Sequence, residues 1–547
     1  MKTLDYRSLP LTSANVTPLF LDYLYDFPVV EKYYNGDYRA DEFIAAHTEK
    51  ISSFARDRET LAQVLWEQAE HFQCGAKSRA HIELLRKENT FAVVTGQQVG
   101  IFSGPLYTLY KILTTIKLTE HLAEKYPDKN FVPIFWLEGE DHDFAEMSSV
   151  SVLTADNSFQ LFQYLIGGIP QEKNYGAVGE IIFDFFFNEC KATIFSTLLP
   201  TEFSAQMKEI FSTAYSDGVS FNAAFVALIN ALLEDSGLIF LSANDRRLKN
   251  LLLPLFKKEI LEHPKSSQLV IERSAELEEK YHAQLKPRPV NLFLFHSDGR
   301  FAIDSIDEKF WLRGTRKYFS RDELLSILET SPEKFSPNVV LRPLCQETLL
   351  PTVAYIAGPS EIAYFAQLKP LYEYFSIPMP VIYPRASATI VEQRISNVLE
   401  KFHLSIEDFF RGKDDVVQRI SQQLSAINIE EVFQGAEKEI TNQLEQLREA
   451  LQPIDATLVP AMENARNKML FQLHSMKERA TAATQKKHQT ALLQIEKAFH
   501  SFLPNDNWQE RELNIIYFLN KYGMDFLTML KTELSPFIFH HQLIEMP

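Results

Sequence analysis

The chain has 547 residues, 46% hydrophobic and 12% aromatic, with 42 Phe, 18 Gly and 23% charged residues. That supports large packed cores in about three to four units and excludes a disordered or low-complexity chain. A formal net charge of -17 argues against non-specific nucleic-acid binding, which needs a basic face, but leaves room for a local basic pocket. Cys74, Cys190 and Cys345 stand far apart with no C-x-x-C, so neither a disulfide framework nor a structural zinc site is expected. The first residues carry no apolar leader and no segment approaches membrane-spanning length. The expectation is a cytoplasmic protein with no membrane and no nucleic-acid partner.

Residues 1–90 read as a mainly helical segment that covers a core, with Asp22 and Tyr23 as residues that could face a site. Residues 91–150 form the first half of a Rossmann-type α/β core. Phe91 to Val94 is a short apolar, β-branched run and reads as a buried strand. It ends in Thr95, Gly96, Gln97 and Gln98, passes Gly100 and Gly104, and enters a helix at Pro105 that carries Thr108 and Lys111. Proline suits the first helical turn, glycines let backbone approach a ligand, and a helix start favours an anion. Neither G-x-x-x-x-G-K-S/T nor G-x-G-x-x-G is present, so no common phosphate loop is assigned. A second strand, Phe131 to Leu137 with Trp136, runs into Glu138, Glu140, Asp141, His142 and Asp143. Like charges this close need a cation, a substrate or solvent. Ligands of open parallel sheets bind at this end of the strands. Adjacent loop residues define no metal geometry, and no metal ligands are assigned.

Residues 151–235 read as an insertion, with strands at Val150–Leu153 and at Glu180–Phe187 among helices. The second half of the core spans 236–386. It opens with the strand Gly237–Leu241, which puts Asp245 and Arg246 at a strand end, and contains a hairpin around Asp298-Gly299, where His296 is a strand-end residue. Arg342 and Gln346, suited to carboxylate or phosphate, precede a strand over Thr352–Ile356 that contains Tyr355. Gly358 then turns into a helix carrying Glu361, Tyr364 and Gln367. Cys345 reads as a buried thiol. A last strand, Met379–Pro384, leads to Arg385. Two strand–glycine–helix units in one sheet frame a cleft between their turns.

Residues 387–500 form an α-helical coiled-coil arm. Ile440, Leu444, Leu447, Leu451, Ile454 and Leu458 follow a 4-3-4-3-4 spacing, and a looser stripe continues through Met462, Met469 and Met476. Pro453 and Pro460 should kink or break it. The arm is expected to fold as an antiparallel hairpin or to pair with a second subunit. Residues 501–547 form a helical segment that returns to the core.

The motifs Thr95–Gly100 and Ser103–Lys111, then Phe135-Trp136 with Glu140–Asp143, resemble the cysteine-adding enzymes of bacillithiol biosynthesis. Leu341–Pro343, Leu349–Leu368 and Trp508–Asn514 look like the same family, and Ala357 and Ser360 stand where glycines are expected. The resemblance implies a Rossmann-type core with insertions, arranged similarly to class I aminoacyl-tRNA synthetases, and a coiled coil used for homodimerisation. It implies a ligase that joins cysteine to the amine of glucosaminyl-malate. The His-x-Gly-His and lysine-rich signatures of synthetases are absent. Amide formation from a free carboxylate needs activation, usually as an adenylate or acyl phosphate, so ATP with Mg is the expected co-reactant. His142, oriented by Asp141 or Asp143, is the expected base, and Lys111 or Arg385 the charge-neutralising group. Arg342 and Gln346 are expected to grip the malate carboxylates. The alternative is a non-catalytic scaffold that gathers partners through its coiled coil.

Overall fold

The apolar, β-branched runs of the sequence become five parallel strands. In the computed structural model, which describes residues 2–10, 16–170, 173–297, 299–424, 429–455 and 457–546, these are β1 (Thr90–Gln97), β2 (Asn130–Leu137), β3 (Ile239–Ser242), β4 (Thr352–Ala357) and β5 (Val381–Pro384). They lie in the order β5-β4-β1-β2-β3, each neighbour parallel. Strands covered on both faces read as continuous apolar runs, and β4 and β5 are buried from end to end. The strand order reverses between β1 and β4. In a doubly wound sheet that reversal opens a crevice beyond the carboxyl ends of the strands.

Helix α1 (Leu106–Lys125) connects β1 to β2, and α2 (Pro359–Phe375) connects β4 to β5. Pro105 sits just before α1 as its cap, one position earlier than expected. Helices Asp41–Ser53, Arg58–His71 and Ala76–Leu85 pack on the sheet, as expected for the first ninety residues. Asp22 and Tyr23 do not reach a site. Tyr23 is buried with its hydroxyl on the Ile382 carbonyl, and Asp22 accepts from Tyr281 Oη at 2.5 Å.

Between β2 and β3 stand a hairpin, Ser149–Leu153 with Phe159–Gln163, and helices Phe186–Thr197, Ser204–Ala214 and Phe221–Leu233. The strand expected over Glu180–Phe187 is absent. That stretch runs from a single 3-10 turn, Val178–Glu180, into the helix that begins at Phe186. Its aromatic residues serve a ring cluster instead of a ladder: Phe183 stacks on Phe187 and Phe221, both at 4.3 Å.

Between β3 and β4, helices Arg246–Glu262 and Lys265–Glu278 precede an antiparallel sheet of five strands, in which Leu292–His296 pairs with Gly299–Ile306 as the expected hairpin. Its turn residue Asp298 lies outside the described residues. Asp245 is not a strand-end ligand. It caps the helix through the Arg247 N–H at 2.8 Å, while Arg246 reaches the Thr330 carbonyl at 2.8 Å.

Glu392–Leu503 make a second unit. Its helices Ile429–Leu451 and Leu458–Phe502 run antiparallel, tied by Lys477 to Glu430 at 2.8 Å and His474 to Glu437 at 3.4 Å. The hairpin turns at Pro453, which cannot continue a helix. Ile454, read as part of the seam, stands in that turn and is 74% exposed. Pro460 lies in the first turn of the second helix, where a missing N–H is tolerated.

The segment after the arm belongs to the first unit, with helices Gln509–Glu512, Ile515–Tyr522 and Asp525–Glu533. It ends in a strand that sequence patterning missed. His541–Met546 lies between Lys2–Leu4 and Ala388–Glu392 in a small sheet.

Candidate active site

The carboxyl ends of β1, β2, β4 and β5 open onto one cavity of about 600 Å³. Twelve of the expected residues line it: Gly96, Gln97, Gln98, Lys111, Asp141, His142, Arg342, Tyr355, Gly358, Glu361, Tyr364 and Arg385. The two strand–glycine–helix units therefore face one another across the switch point. Glycine at 96 matters because an added Cβ would sit 3.2 Å from both Cβ and the carbonyl oxygen of Trp136 on β2.

Lys111 and Glu361 bridge the two units. Lys111 Nζ stands 2.6 Å from Glu361 Oε2 and also donates to the Gly96 carbonyl at 3.0 Å and Gln97 Oε1 at 3.1 Å. All three of its N–H donors are committed, so Lys111 works as a strut rather than as a free cation for substrate. Burial opposes ionisation of Glu361, but Lys111, the Gly358 N–H and the Tyr355 hydroxyl together hold its carboxyl below the usual range. Arg385 is held similarly. Its Nη2 meets Glu510 Oε1 at 2.6 Å, and Glu510 also accepts from Ser387 Oγ and the Ala388 N–H.

A second group of charges lies beyond β2. Burial pushes the Glu138 carboxyl up to about 7, and Glu140 and Asp141 push the same way against Arg342. Glu138 Oε2 accepts from Trp136 Nε1 at 3.1 Å and stays 3.9 Å from Arg342 Nε. It is a carboxylate poised between its two protonation states on the cavity wall. Asp141 behaves oppositely: burial would raise it, yet His142, Arg300 and Gln98 hold it well below the usual range. Asp141 Oδ1 is 3.3 Å from both His142 Nδ1 and Arg300 Nη1. An Nδ1 proton turned to Asp141 would leave His142 Nε2 as the base, while Arg300 Nη1, 3.3 Å from the same Nδ1, competes as a donor to it. Arg300 is locked behind this pair by Ser336 Oγ at 2.9 Å and the Pro337 carbonyl at 2.8 Å, with its guanidinium over the Phe293 ring at 3.9 Å.

Nine expected site residues do not line this cavity. Thr95 is buried with its hydroxyl on the Ile356 carbonyl at 3.1 Å, and Thr108 is buried in α1. Trp136 is buried and acts through Glu138. Glu140 is spent on Lys249, 2.6 Å away in an ion pair that solvent hardly reaches. Asp143 caps a short helix at the Glu146 N–H, 3.0 Å away, and leaves the orientation of His142 to Asp141. Gln346 receives Arg342 Nη1 at 3.0 Å and donates to Glu347 at 2.7 Å, so it braces Arg342 instead of gripping a ligand. Gln367 fastens the 284–285 backbone and Ser274 on the far side of α2. Gly104 and Pro105 line a separate cavity of about 310 Å³. The chain's own tail engages the backbone around Gly104. The Leu106 N–H donates to the Leu513 carbonyl at 2.9 Å, and Asn514 Nδ2 donates to the Phe102 and Gly104 carbonyls at 2.9 and 2.7 Å.

Sequence reasoning left out Arg300, Lys286, Arg288, Tyr107 and Arg511, all on the cavity wall, and the Glu510 that pairs with Arg385. Glu138 stood in the acidic cluster, and its position at the very end of a buried strand was the available signal. Cys345 is buried and its thiol is pushed up by burial, as expected for a packing residue. Among the described residues no group of three or more His, Cys, Asp and Glu side chains is placed to hold a metal ion, and no helix is long and apolar enough to cross a membrane.

Comparison with known proteins covers both units. Residues 4–386 match the family model described as the bacillithiol biosynthesis BshC N-terminal Rossmann-like domain, and residues 388–546 match the BshC C-terminal coiled-coil domain. Three curated relatives carry the name "Putative cysteine ligase BshC". The protein from Salinibacter ruber is 37% identical over 98% of both chains, that from Chloroherpeton thalassium 36% over 99% of both, and that from Chlorobaculum tepidum 34% over 99% of both. With the Rossmann-type sheet, the inserted segments and the helical arm all accounted for, this chain belongs to the BshC family of bacillithiol biosynthesis.

Proposed function

We propose that this protein is a cytoplasmic ligase that joins the carboxylate of cysteine to the amine of glucosaminyl-malate, forming bacillithiol. The reading rests on one observation above the others. Glu138, near neutrality, and His142 share a cavity with cationic side chains at the switch point of the sheet. The attacking amine has to lose a proton, and a group with a pKa near the working pH is best suited to take it. Glu138 and His142 are the two candidates on this wall. Negative charge growing on the carbonyl oxygen would be met by Arg342 or Arg385, since Lys111 is fully committed. Among the described residues Arg385 sends only its two Nη groups to protein oxygens, Ala386 O and Glu510.

ATP with magnesium is the proposed co-reactant and would supply the leaving group for carboxylate activation. The cavity's cations suit its phosphates. The protein is further proposed to act as a homodimer through its coiled-coil arm and to need neither nucleic acid nor membrane.

The test is the mass of products after purified protein meets glucosaminyl-malate and cysteine, with and without ATP and magnesium. An ATP-dependent bacillithiol mass is the expected result. Product without ATP would keep the cysteine-adding function and remove the activation step. No product under any condition, from folded protein, would sink the ligase reading in favour of a scaffold.

A further inference from the structure

The cavity's lysines and arginines divide into two groups. Lys111, Arg300, Arg342 and Arg385 each have a carboxylate within 4 Å in the protein. Lys286, Arg288 and Arg511 line the same cavity with no carboxylate ion pair among the described residues, and Lys286 and Arg288 stand two positions apart on one segment. Arg288 goes further: its Nη1 is buried and has no hydrogen-bond partner among the described residues. A buried charged donor left unsatisfied is costly, and one that faces a cavity is a natural partner for an anion.

The segment that carries Arg288 is fixed in place. Pro287 and Pro289 flank it and restrict the backbone on both sides. The Arg288 carbonyl accepts from Ser267 Oγ. Asn291, three residues on, is held by the buried Glu259 through its N–H at 2.8 Å and its Nδ2 at 3.1 Å. Asn338, another cavity residue, donates to Asn291 Oδ1 at 2.9 Å. A guanidinium so mounted, with an ammonium close by in sequence, suits a ligand with two oxygens in one plane.

We infer that Arg288, with Lys286 beside it, forms an anion subsite that binds a paired-oxyanion group of the substrate, a carboxylate end or a phosphate. The inference rests on the reading of this cavity as the substrate site. It moves the expected carboxylate grip away from Gln346, which is occupied with Arg342.

Titration calorimetry on the full chain tests it, with L-malate and inorganic phosphate as separate probes. Wild-type protein binds at least one of them, and Arg288→Gln weakens that binding tenfold or more, with Arg288→Lys intermediate because it keeps the charge and loses the fork. Loss of malate binding assigns the subsite to a dicarboxylate end, and loss of phosphate binding to a phosphoryl group. Lys286→Ala, at an exposed position, weakens the same probe and stands in should Arg288→Gln fail to fold. Unchanged binding in both variants, or no binding of either probe by wild type, overturns the inference. The readout is independent of turnover. Probe binding that depends on Arg288 in a protein that makes no bacillithiol would keep the subsite and sink the ligase reading. Product formation by Arg288→Gln with wild-type KM for the sugar substrate would do the reverse.

Discussion

Glu138 and His142 sit on one wall of the cavity, and their surroundings give them different jobs to offer. The carboxyl of Glu138 lies near 7 because burial and two neighbouring acids oppose its ionisation. A base must be deprotonated to act, so activity is expected to rise with pH through that value. Glu138→Gln should lower kcat by about a hundredfold or more and erase the limb near pH 7. His142→Ala should leave that limb in place. A pH profile of product formation for the two variants decides between them: a Glu138→Gln enzyme with a wild-type profile would return the role to His142.

Which residues were readable followed from where they stand in the chain. Gly96, Lys111, Gly358 and Glu361 belong to strand–glycine–helix units that local patterning reveals. Arg300 reaches the site from a hairpin, where nothing local distinguishes it from a solvated charge. Arg511 and Glu510 belong to the Trp508–Asn514 motif after the arm, which no local pattern places at the site. Glu140 and Gln346 failed for the complementary reason. Their buried partners, Lys249 and Glu347, come from packing that no motif announces.

At the scale of elements, the loop between β1 and α1 is the place where expectation and structure part most. The sequence pattern suggests an anion-binding turn, and the structure shows a strained turn held by the tail. Phe102 and Ser103 both take positive φ, 55° and 73°, a region that costs non-glycine residues energy. Phe102 nevertheless buries its ring against Phe211 and Tyr215, at 5.0 and 5.1 Å. Asn514 supplies the compensation by donating to the carbonyls of Phe102 and Gly104. Asn514→Ala would strip both buried carbonyls of their donor and should cost about 1–3 kcal/mol in urea denaturation, with faster amide exchange over 98–108. Unchanged exchange there would show that the loop holds its shape unaided. The fold itself was legible at this scale because doubly buried parallel strands announce themselves as unbroken apolar runs. The final strand His541–Met546 was not, since it is short and mixes polar with apolar residues.

For the whole molecule, the arm carries one of the exposed apolar surfaces. Its two helices pack on each other, yet Leu447, Met469, Phe471 and Met476 remain 51%, 51%, 69% and 58% exposed. Apolar residues at this density on a long hairpin suit a second copy of the arm. Light scattering should give twice the 63.1 kDa chain mass. Replacing Leu447 and Phe471 by Glu should give one chain mass with the fold retained. A wild-type monomer at micromolar concentration would remove the dimer from the proposal.

The pairing of Arg385 with Glu510 also has a consequence for synthesis. The ribosome completes β5 and its arginine long before it reaches residue 510, because the whole arm lies between them. Until then all five strands of the sheet have been made, while Arg385 lacks its counter-charge and the β1–α1 loop lacks Asn514. The cavity wall therefore cannot be complete while translation is in the arm, because Arg511 and the partner of Arg385 have not yet been made.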